Sequence, residues 1–412
     1  MKKIVAIILA LVMVFALAAC GGGGGGGSKK TPKPDPFETL ESKAGQEVLV
    51  AVALNSVDDT TVVVKEYLNN VIGPALKMKF DFSEQLINAD EVVTFIENEK
   101  VKGAVGIINL QTSYAKTVIE VCQDLGMYCH TQKSAFADES KTASATLGNC
   151  GASTAGMRDA YNKVMDELLA DGANHSAVIY SCAATKKMAE SHYYSSMAVL
   201  EAMQKKYGLK YDESIETIAA SDYVKELTTG NNNVKINFVS GSIPDNVMTP
   251  LKTGNYDIFA CVTGFQQFVA TINDTEKAFG MDIKVVATVN LDDATKNGFA
   301  AGDLDYGIIN PLTVAYAINA AAIRNAVDGY ADMYKDADGN AVQLDVLPWL
   351  CTSAEHYEKI SKLDKDGTWV VTAEDAKNLC KSFNDKATLD DAKALLASLG
   401  DIDAILAKKG LA

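Results

Sequence analysis

Apolar runs alternate with amphipathic segments along most of the chain. The runs that are typical of strands are EVLVAVAL (47–54), KMKFDF (77–82), GAVGIINL (103–110), MYCHT (127–131), SAVIYSC (176–182), SIETIAAS (214–221), VKINFVS (234–240), YDIFACVT (256–263) and IKVVATVN (283–290). Segments with apolar residues at helical spacing lie between them, at 60–76, 90–100, 112–126, 152–172, 186–208, 244–253 and 266–279. Strands that alternate with helices join through right-handed crossovers into parallel sheets with helices on both faces.

The same alternation begins again near residue 152. Two successive units of one kind predict an α/β fold with two Rossmann-like lobes, each built on a parallel sheet, joined by a hinge. Beyond residue 350 the pattern is helical only, in TAEDAKNLCKSF (372–383) and LDDAKALLASLGDIDAILAKKG (389–410). We therefore expect a helical C-terminal extension over 351–412, which either packs on one lobe or limits how far the lobes open.

The chain begins with two lysines and an apolar run from Ile4 to Ala19. About 16 apolar residues are fewer than the roughly 20 that a membrane-spanning helix needs, and they suit a secretory signal peptide. Leu17-Ala18-Ala19-Cys20 resembles the lipobox of bacterial lipoproteins. The resemblance implies that residues 1–19 are a signal peptide and that Cys20 is lipidated. An ordinary signal peptide with an incidental cysteine and a signal anchor are the alternatives.

A glycine- and proline-rich segment follows the cysteine. Residues 21–27 are all glycine, and KKTPKPDPF (29–37) comes directly after Ser28. Chains of this composition are flexible spacers. We therefore expect residues 20–45 to be a tether that holds an exported domain about 25–30 Å from the bilayer, on the extracytoplasmic side of the cell membrane.

Composition limits the classes of partner. A formal net charge of −15 disfavours nucleic acid and anionic lipid surfaces, which select basic patches. Seven cysteines remain beyond Cys20, and none of them has C-x-x-C spacing. An odd, scattered set predicts buried thiols instead of a disulfide framework or a zinc site, and no metal or other cofactor is expected.

Several stretches resemble the type I periplasmic binding proteins, the ligand receptors of ABC importers. They are VLVAVALNSVDD (48–59), the segments at 98–129 and 256–293, and NGFAAGDLDYGIINPLTVAYAINAAAIRNAVDG (297–329). The resemblance implies a first lobe from 46–148 and 311–341 and a second lobe from 149–310 and 342–350. It also implies a monomer that closes on a small-molecule ligand and meets an ABC permease.

The chain differs from the sugar-binding members in two places. Those proteins usually carry an arginine near the first helix of the second lobe, whereas SCAATKKMAESHYYSS (181–196) offers Lys186, Lys187, His192, Tyr193 and Tyr194. Their polar hinge residue is usually glutamine, whereas Asn310 stands here, before Pro311.

Candidate ligand contacts follow from the sheet geometry, because ligands bind beyond the carboxyl ends of parallel strands. The candidates in the first lobe are Asn55, Asp58, Asp59, Gln111, Tyr114, His130 and Gln132; those in the second are Thr185, Phe265, Gln266, Asn290 and Asp292; Asn149 and Asn310 lie near the crossings.

Structural interpretations compete with these assignments. Asn55 and the two aspartates stand before a helix, where they suit capping and the helix dipole. Tyr114 and Phe265 either belong to the core or stack on a ligand ring, and His130 suits a structural role. DADGN (336–340) and DKDGT (364–368) lack the spacing of a calcium loop and are expected to be turns.

Catalysis is not expected, because the sequence contains neither G-x-S-x-G nor H-E-x-x-H. A receptor for an ABC importer fits best. A ligand-sensing subunit that signals to a membrane kinase or chemoreceptor and an enzyme such as a hydrolase on the same fold are the alternatives. The carboxylates and the missing arginine favour a neutral or cationic ligand: a sugar or nucleoside first, an amine or other small metabolite second.

Overall fold

The computed structural model describes residues 35–132, 141–181, 190–241 and 243–412. Its strands are β1 (Val48–Ala53), β2 (Met78–Phe82), β3 (Ala104–Asn109), β4 (Tyr128–Thr131), β5 (Thr146–Ala152), β6 (Ala177–Ser181), β7 (Val224–Glu226), β8 (Ile236–Ser240), β9 (Ile258–Cys261), β10 (Lys284–Val289), β11 (Tyr306–Ile309), β12 (Gln343–Val346) and β13 (Trp349–Cys351).

Its α-helices are α1 (Asp59–Tyr67), α2 (Gly73–Leu76), α3 (Ala89–Lys102), α4 (Ala115–Leu125), α5 (Thr154–Leu168), α6 (Glu190–Tyr207), α7 (Ile215–Ala219), α8 (Pro244–Leu251), α9 (Val269–Phe279), α10 (Asp293–Ala301), α11 (Leu312–Asn325), α12 (Ala354–Ile360), α13 (Ala373–Asn378), α14 (Leu389–Ser398) and α15 (Ile402–Lys408). Helical turns of other types cover Pro36–Thr39, Leu68–Ile72, Thr112–Tyr114, Gln266–Phe268, Ala326–Tyr330 and Ala331–Tyr334.

The strands form two sheets, as the alternating pattern predicts. The first sheet has six strands in the order β12-β5-β4-β3-β1-β2, and every pairing in it is parallel. The second has seven strands in the order β13-β11-β10-β9-β6-β8-β7, with antiparallel pairing only at its two outer strands. The predicted two-lobed α/β fold with a helical C-terminal extension is confirmed.

The strands coincide with the apolar runs of the sequence because they are buried between helices. Strand β1 is a run of valine, leucine and alanine whose residues 50–53 are completely buried, as expected for a strand covered on both faces. Helix α11 is buried from Thr313 to Asn325 and packs beneath β3, β4 and β5. Gly106 in β3 permits this approach, because a Cβ there would lie 3.0 Å from the Ile323 side chain.

Strand β5 was not predicted, and its geometry shows why. Gly148 has φ +109°, and a Cβ on it would lie 2.3 Å from the carbonyl oxygen of Val342. The strand therefore needs glycine and small residues at this point. These residues are uncommon in strands, so the sequence lacks the β-branched pattern by which a strand is normally predicted. Its span places 149–152 in the first sheet, although the predicted boundary assigned them to the second lobe.

Three further expectations differ from the structure. SIETIAAS was predicted as a strand but forms α7, because the Ser214 hydroxyl accepts from the Thr217 N–H and starts a helix. Strand β12 was assigned to the second lobe but pairs with β5 in the first sheet. Residues 36–45 were predicted to be tether but pack on the first lobe, where the Phe37 and Tyr128 rings lie 5.0 Å apart.

Two other predictions, the buried thiols and the turn at 336–340, are confirmed. The thiols of Cys122, Cys129, Cys150, Cys351 and Cys380 are buried. Residues 336–340 form a turn, in which the Asp336 carboxylate accepts from the Asn340 N–H at 2.8 Å. No helix among the described residues is long and apolar enough to cross a membrane.

Candidate functional site

The chain crosses between the lobes at the carboxyl ends of strands. The crossings follow β5 at Ser153, β11 at Asn310 and β12 at Leu347, so all three leave from this edge of a sheet. The lobes are therefore joined beside the edges where open α/β sheets bind ligands. The cleft between these edges is the candidate ligand site.

Four neutral polar side chains at these strand ends carry a buried atom that has no hydrogen-bond partner among the described residues. They are Asn109 (Nδ2) at the end of β3, Gln132 (Oε1) after β4, Ser240 (Oγ) at the end of β8 and Asn310 (Oδ1) after β11. A buried polar atom without a partner costs about 1–3 kcal/mol, so native proteins satisfy such atoms with water or a ligand.

Two of these residues are adjacent in the backbone of the first sheet. The Gln132 N–H donates to the Asn109 carbonyl oxygen at 2.8 Å. The Asn109 amide oxygen accepts from the Gln111 N–H at 2.9 Å, which leaves the amide nitrogen as its available donor. The first lobe thus carries one amide donor and one amide acceptor on residues at the ends of two adjacent strands.

Gln111 itself has a structural role in this conformation. It is buried, and its side-chain amide donates to the carbonyl oxygen of Leu54, which joins the ends of β1 and β3. The Tyr114 hydroxyl donates to the Ile87 carbonyl oxygen at 3.2 Å. Both residues lie at the predicted edge, and both bonds fix the loops that border the cleft.

Asp58 caps helix α1. Its carboxylate accepts from the Thr60 N–H at 3.0 Å and from the Thr61 N–H at 3.2 Å. Burial raises the pKa of Asp58, but hydrogen bonds from Thr60 and Thr61 outweigh it and hold the pKa below its ordinary value. The capping interpretation therefore accounts for this charge, whereas Asn55 is exposed beside it and the Asp59 side chain lies outside the described part.

His130 and Asn149 lie within strands and not beyond them. Both are completely buried. The His130 ring meets the Tyr334 ring edge-on at 6.4 Å, and burial lowers the pKa of His130 to about 4. The structural interpretation of His130 is therefore favoured over ligand contact.

Phe265 in the second lobe belongs to the core. It is completely buried, and a Cβ on Gly298 would lie 2.4 Å from its ring. Ring stacking on a ligand, as predicted for Phe265, is not available to it in this conformation.

The other second-lobe candidates divide between exposed and capping positions. Gln266 and Asn290 are exposed. Asp292 caps α10, where its carboxylate accepts from the Thr295 N–H at 2.7 Å. Thr185, Lys186 and Lys187 lie outside the described residues.

Sequence reasoning missed Asn109 and Ser240. Each is the last residue of its strand, so the rule that selected Gln132 and Asn310 applies to them as well. They were overlooked because each is the last residue of an apolar run, so the pattern includes it in the strand.

Across the described ranges, His, Cys, Asp and Glu side chains form no group of three or more that could hold a metal ion.

Comparisons with known proteins reveal the fold but not a sequence relative. No protein-family model and no curated protein matches the chain. An ABC transporter solute-binding protein from Bacillus halodurans with bound myo-inositol has a similar structure, with a TM-score of 0.54 and 11% identity over 77% of this chain and 98% of that one.

Two further solved structures are similar. A carbohydrate transporter solute-binding protein from Agrobacterium radiobacter in complex with D-arabinose has a TM-score of 0.52 and 17% identity over 75% of this chain and 95% of its own. A protein assigned as a LacI transcriptional regulator from Bacteroides fragilis has a TM-score of 0.53 and 9% identity over 77% of this chain and 99% of its own. The chain therefore has the fold of the type I periplasmic binding proteins.

Proposed function

We propose that this protein is an extracytoplasmic receptor that closes its two lobes on a small neutral ligand carrying several hydroxyl groups. The observation that carries the proposal is the set of buried atoms of Asn109, Gln132, Ser240 and Asn310 at the strand ends, for which the described part of the chain offers no hydrogen-bond partner. Amides and hydroxyls of this kind both donate and accept, which matches the hydroxyl groups of a sugar. Two similar structures are described with myo-inositol and D-arabinose bound, which supports the same ligand class.

Charge in the site favours a sugar over an amine. The four unpartnered atoms belong to uncharged side chains. The Asp58 carboxylate, which the sequence offered as a partner for an amine, is held by the first turn of α1. A cation buried in the cleft would need a paired carboxylate there, because burying an unpaired charge is costly. Nucleosides also carry hydroxyl groups and stay in the favoured ligand class beside the sugars.

A thermal-shift screen tests the ligand class. Residues 36–412 form one compact unit and are the portion to use. A ligand at 100 times its dissociation constant adds about 2.7 kcal/mol to the free energy of unfolding. We expect stabilisation by one or more neutral sugars or polyols in a panel that also contains nucleosides, amino acids and polyamines. Stabilisation by anionic metabolites or polyamines alone would contradict the proposal.

We further propose that the receptor is anchored and serves import. Lipidated Cys20 would hold a monomeric domain on the outer side of the cell membrane, and ligand-driven closure would present it to an ABC permease. Closure needs no chemistry from the receptor, in keeping with a non-enzymatic role. Co-purification of a permease and an ATPase with the detergent-solubilised full chain would support import.

Signalling is the second candidate function, because the similar structures include a protein assigned as a transcriptional regulator. The same lobe closure would then be detected by a membrane kinase or chemoreceptor. Co-purification of a kinase in place of a permease distinguishes the two functions.

A further inference from the structure

Residue 351, the predicted start of the C-terminal extension, belongs to β13, so the extension covers residues 352–412. It contacts both lobes. On the second lobe, Tyr357 of α12 donates its hydroxyl to the Asp292 carbonyl oxygen at 2.8 Å. Its ring lies 5.4 Å from the Phe299 ring, and Glu358 forms an ion pair with Lys296 at 3.3 Å. Helix α12 is thereby attached to α10, the second-lobe helix that follows β10.

The next part of the extension is attached to the first lobe. The Tyr67 hydroxyl donates to the Val371 carbonyl oxygen at 2.8 Å, and the Tyr67 and Trp369 rings lie 5.0 Å apart. Asn325, completely buried at the end of α11, donates to the Leu379 carbonyl oxygen and accepts from the Lys381 N–H, both at 2.8 Å. These buried bonds fix α13 to the first lobe.

The extension then returns to the second lobe. Helix α14 packs against β12 of the first sheet. At its end, the Leu399 carbonyl oxygen accepts from the indole N–H of Trp349 in β13 at 2.8 Å. Helix α15 then contacts α12 on the second lobe, where the His356 ring and the Asp403 carboxylate lie 3.3 Å apart. The extension therefore passes between the lobes twice, in addition to the three crossings of the main chain.

The first of these passages runs beside the hinge. Asp364, in the segment 361–372 between α12 and α13, is buried and accepts from the Val370 N–H at 3.2 Å. Burial raises the pKa of Asp364 to about 6, and nearby Thr313, three residues after Asn310 in the first turn of α11, opposes this shift. A rotation at Asn310 therefore moves the second lobe, together with α12, relative to this segment.

We infer that the C-terminal extension is a strap that limits how far the cleft opens. The inference assumes the lobe motion of the proposed function, but it concerns the ligand-free protein. The similar structures are matched over 95–99% of their own length, whereas they cover only 75–77% of this chain. A strap that preset a narrow opening would reduce the conformational cost of ligand closure.

Cutting the strap after folding tests the inference. A site for a sequence-specific protease is inserted after Asp366, which is exposed in the passage between α12 and α13. The matched control carries the same insertion after Asp338, in an exposed turn within the first lobe. Both chains also carry Tyr357→Phe, which removes the bond to Asp292. Because cleavage follows folding, a failure to fold cannot mimic the effect.

The readout is the distance between spin labels at the bases of the two lobes. Val101→Cys lies before β3 and Asn232→Cys before β8, and both positions are exposed; the chain without these cysteines controls for labelling elsewhere. In ligand-free protein, cleavage after Asp366 should broaden and shift the distance distribution, whereas cleavage after Asp338 should not. Equal distributions in the two cleaved chains would overturn the inference. Failure of the proposed function would appear separately, as absence of any ligand effect in the uncut chain.

Discussion

Arg324 and Asp328 form an ion pair in the interior of the first lobe, and each side chain is only 1% exposed. The Arg324 guanidinium also donates to the carbonyl oxygens of Gln46 and Lys43, each at 3.0 Å. Asp328 in turn accepts from the Ser382 hydroxyl. One buried pair thus joins the N-terminal segment, the end of α11 and the C-terminal extension.

Breaking this pair should destabilise the protein strongly. Arg324→Met leaves the Asp328 carboxylate buried without its partner, which we expect to lower the free energy of unfolding by about 3–5 kcal/mol. The double variant with Asp328→Leu should recover much of the loss, because no uncompensated charge remains. Urea denaturation of residues 36–412 measures both. If Arg324→Met lowers the free energy of unfolding by less than about 1 kcal/mol, the value typical of surface ion pairs, water reaches the pair and the prediction is wrong.

Stability should fall on acidification because of His130. Burial lowers the pKa of His130 to about 4 from an ordinary value of 6.5. Between these pH values the unfolded chain binds a proton that the folded protein does not, so the free energy of unfolding decreases as the pH falls through this window. The full effect approaches about 3 kcal/mol.

His130→Leu removes this titration and should flatten the curve of unfolding free energy against pH between 6.5 and 4. Measurements at pH 8, where neutral histidine is present in both states, give the baseline cost of the substitution. An unchanged slope in the variant would mean that other groups cause the acid sensitivity.

Gln132 should contribute to ligand affinity. Gln132→Met keeps the length of the side chain but removes the amide that we place against a ligand hydroxyl. Loss of one hydrogen bond should weaken binding roughly 3- to 10-fold, as measured by calorimetric titration with the most stabilising sugar. The control is Gln343→Met, an exposed position at the amino end of β12. Equal affinities in the two variants would remove Gln132 from the site.

Much of the fold follows from the sequence because buried parallel strands are continuous apolar runs. Residues 50–53 of β1 are all apolar and all completely buried, so pattern and structure coincide there. Strand β5 escaped the same reasoning because its conformation at Gly148 requires glycine and small neighbours. SIETIAAS was misassigned because β-branched residues outweighed the capping serine that starts α7.

The site was less predictable, because position at a strand end does not decide what a side chain contacts. Gln132 and Asn310 have buried oxygens with no hydrogen-bond partner among the residues that the structure describes, which leaves them available to a ligand. Asp58 stands at a similar position, but the N–H groups of its own helix occupy its carboxylate. Phe265 lies in the loop after β9, four residues beyond Cys261, and is completely buried in the core. Only tertiary packing distinguishes these outcomes.

Membrane attachment should depend on Cys20. The apolar leader and Leu17-Ala18-Ala19-Cys20 predict a mature chain that begins at a lipidated cysteine. Mass spectrometry of the purified full chain should find a diacylglycerol-modified Cys20 at the N-terminus. Cys20→Ser should release the protein from membranes, and a variant that still partitions into membranes would disprove the anchor.

Ligand-driven closure of the two lobes tests the central claim most directly. Small-angle X-ray scattering from residues 36–412 is measured without ligand and with a saturating concentration of the most stabilising neutral sugar. If the protein is a receptor that closes on a neutral ligand, the radius of gyration decreases on addition of the sugar and returns to its first value after dialysis. A radius of gyration that stays the same at saturation would contradict the account.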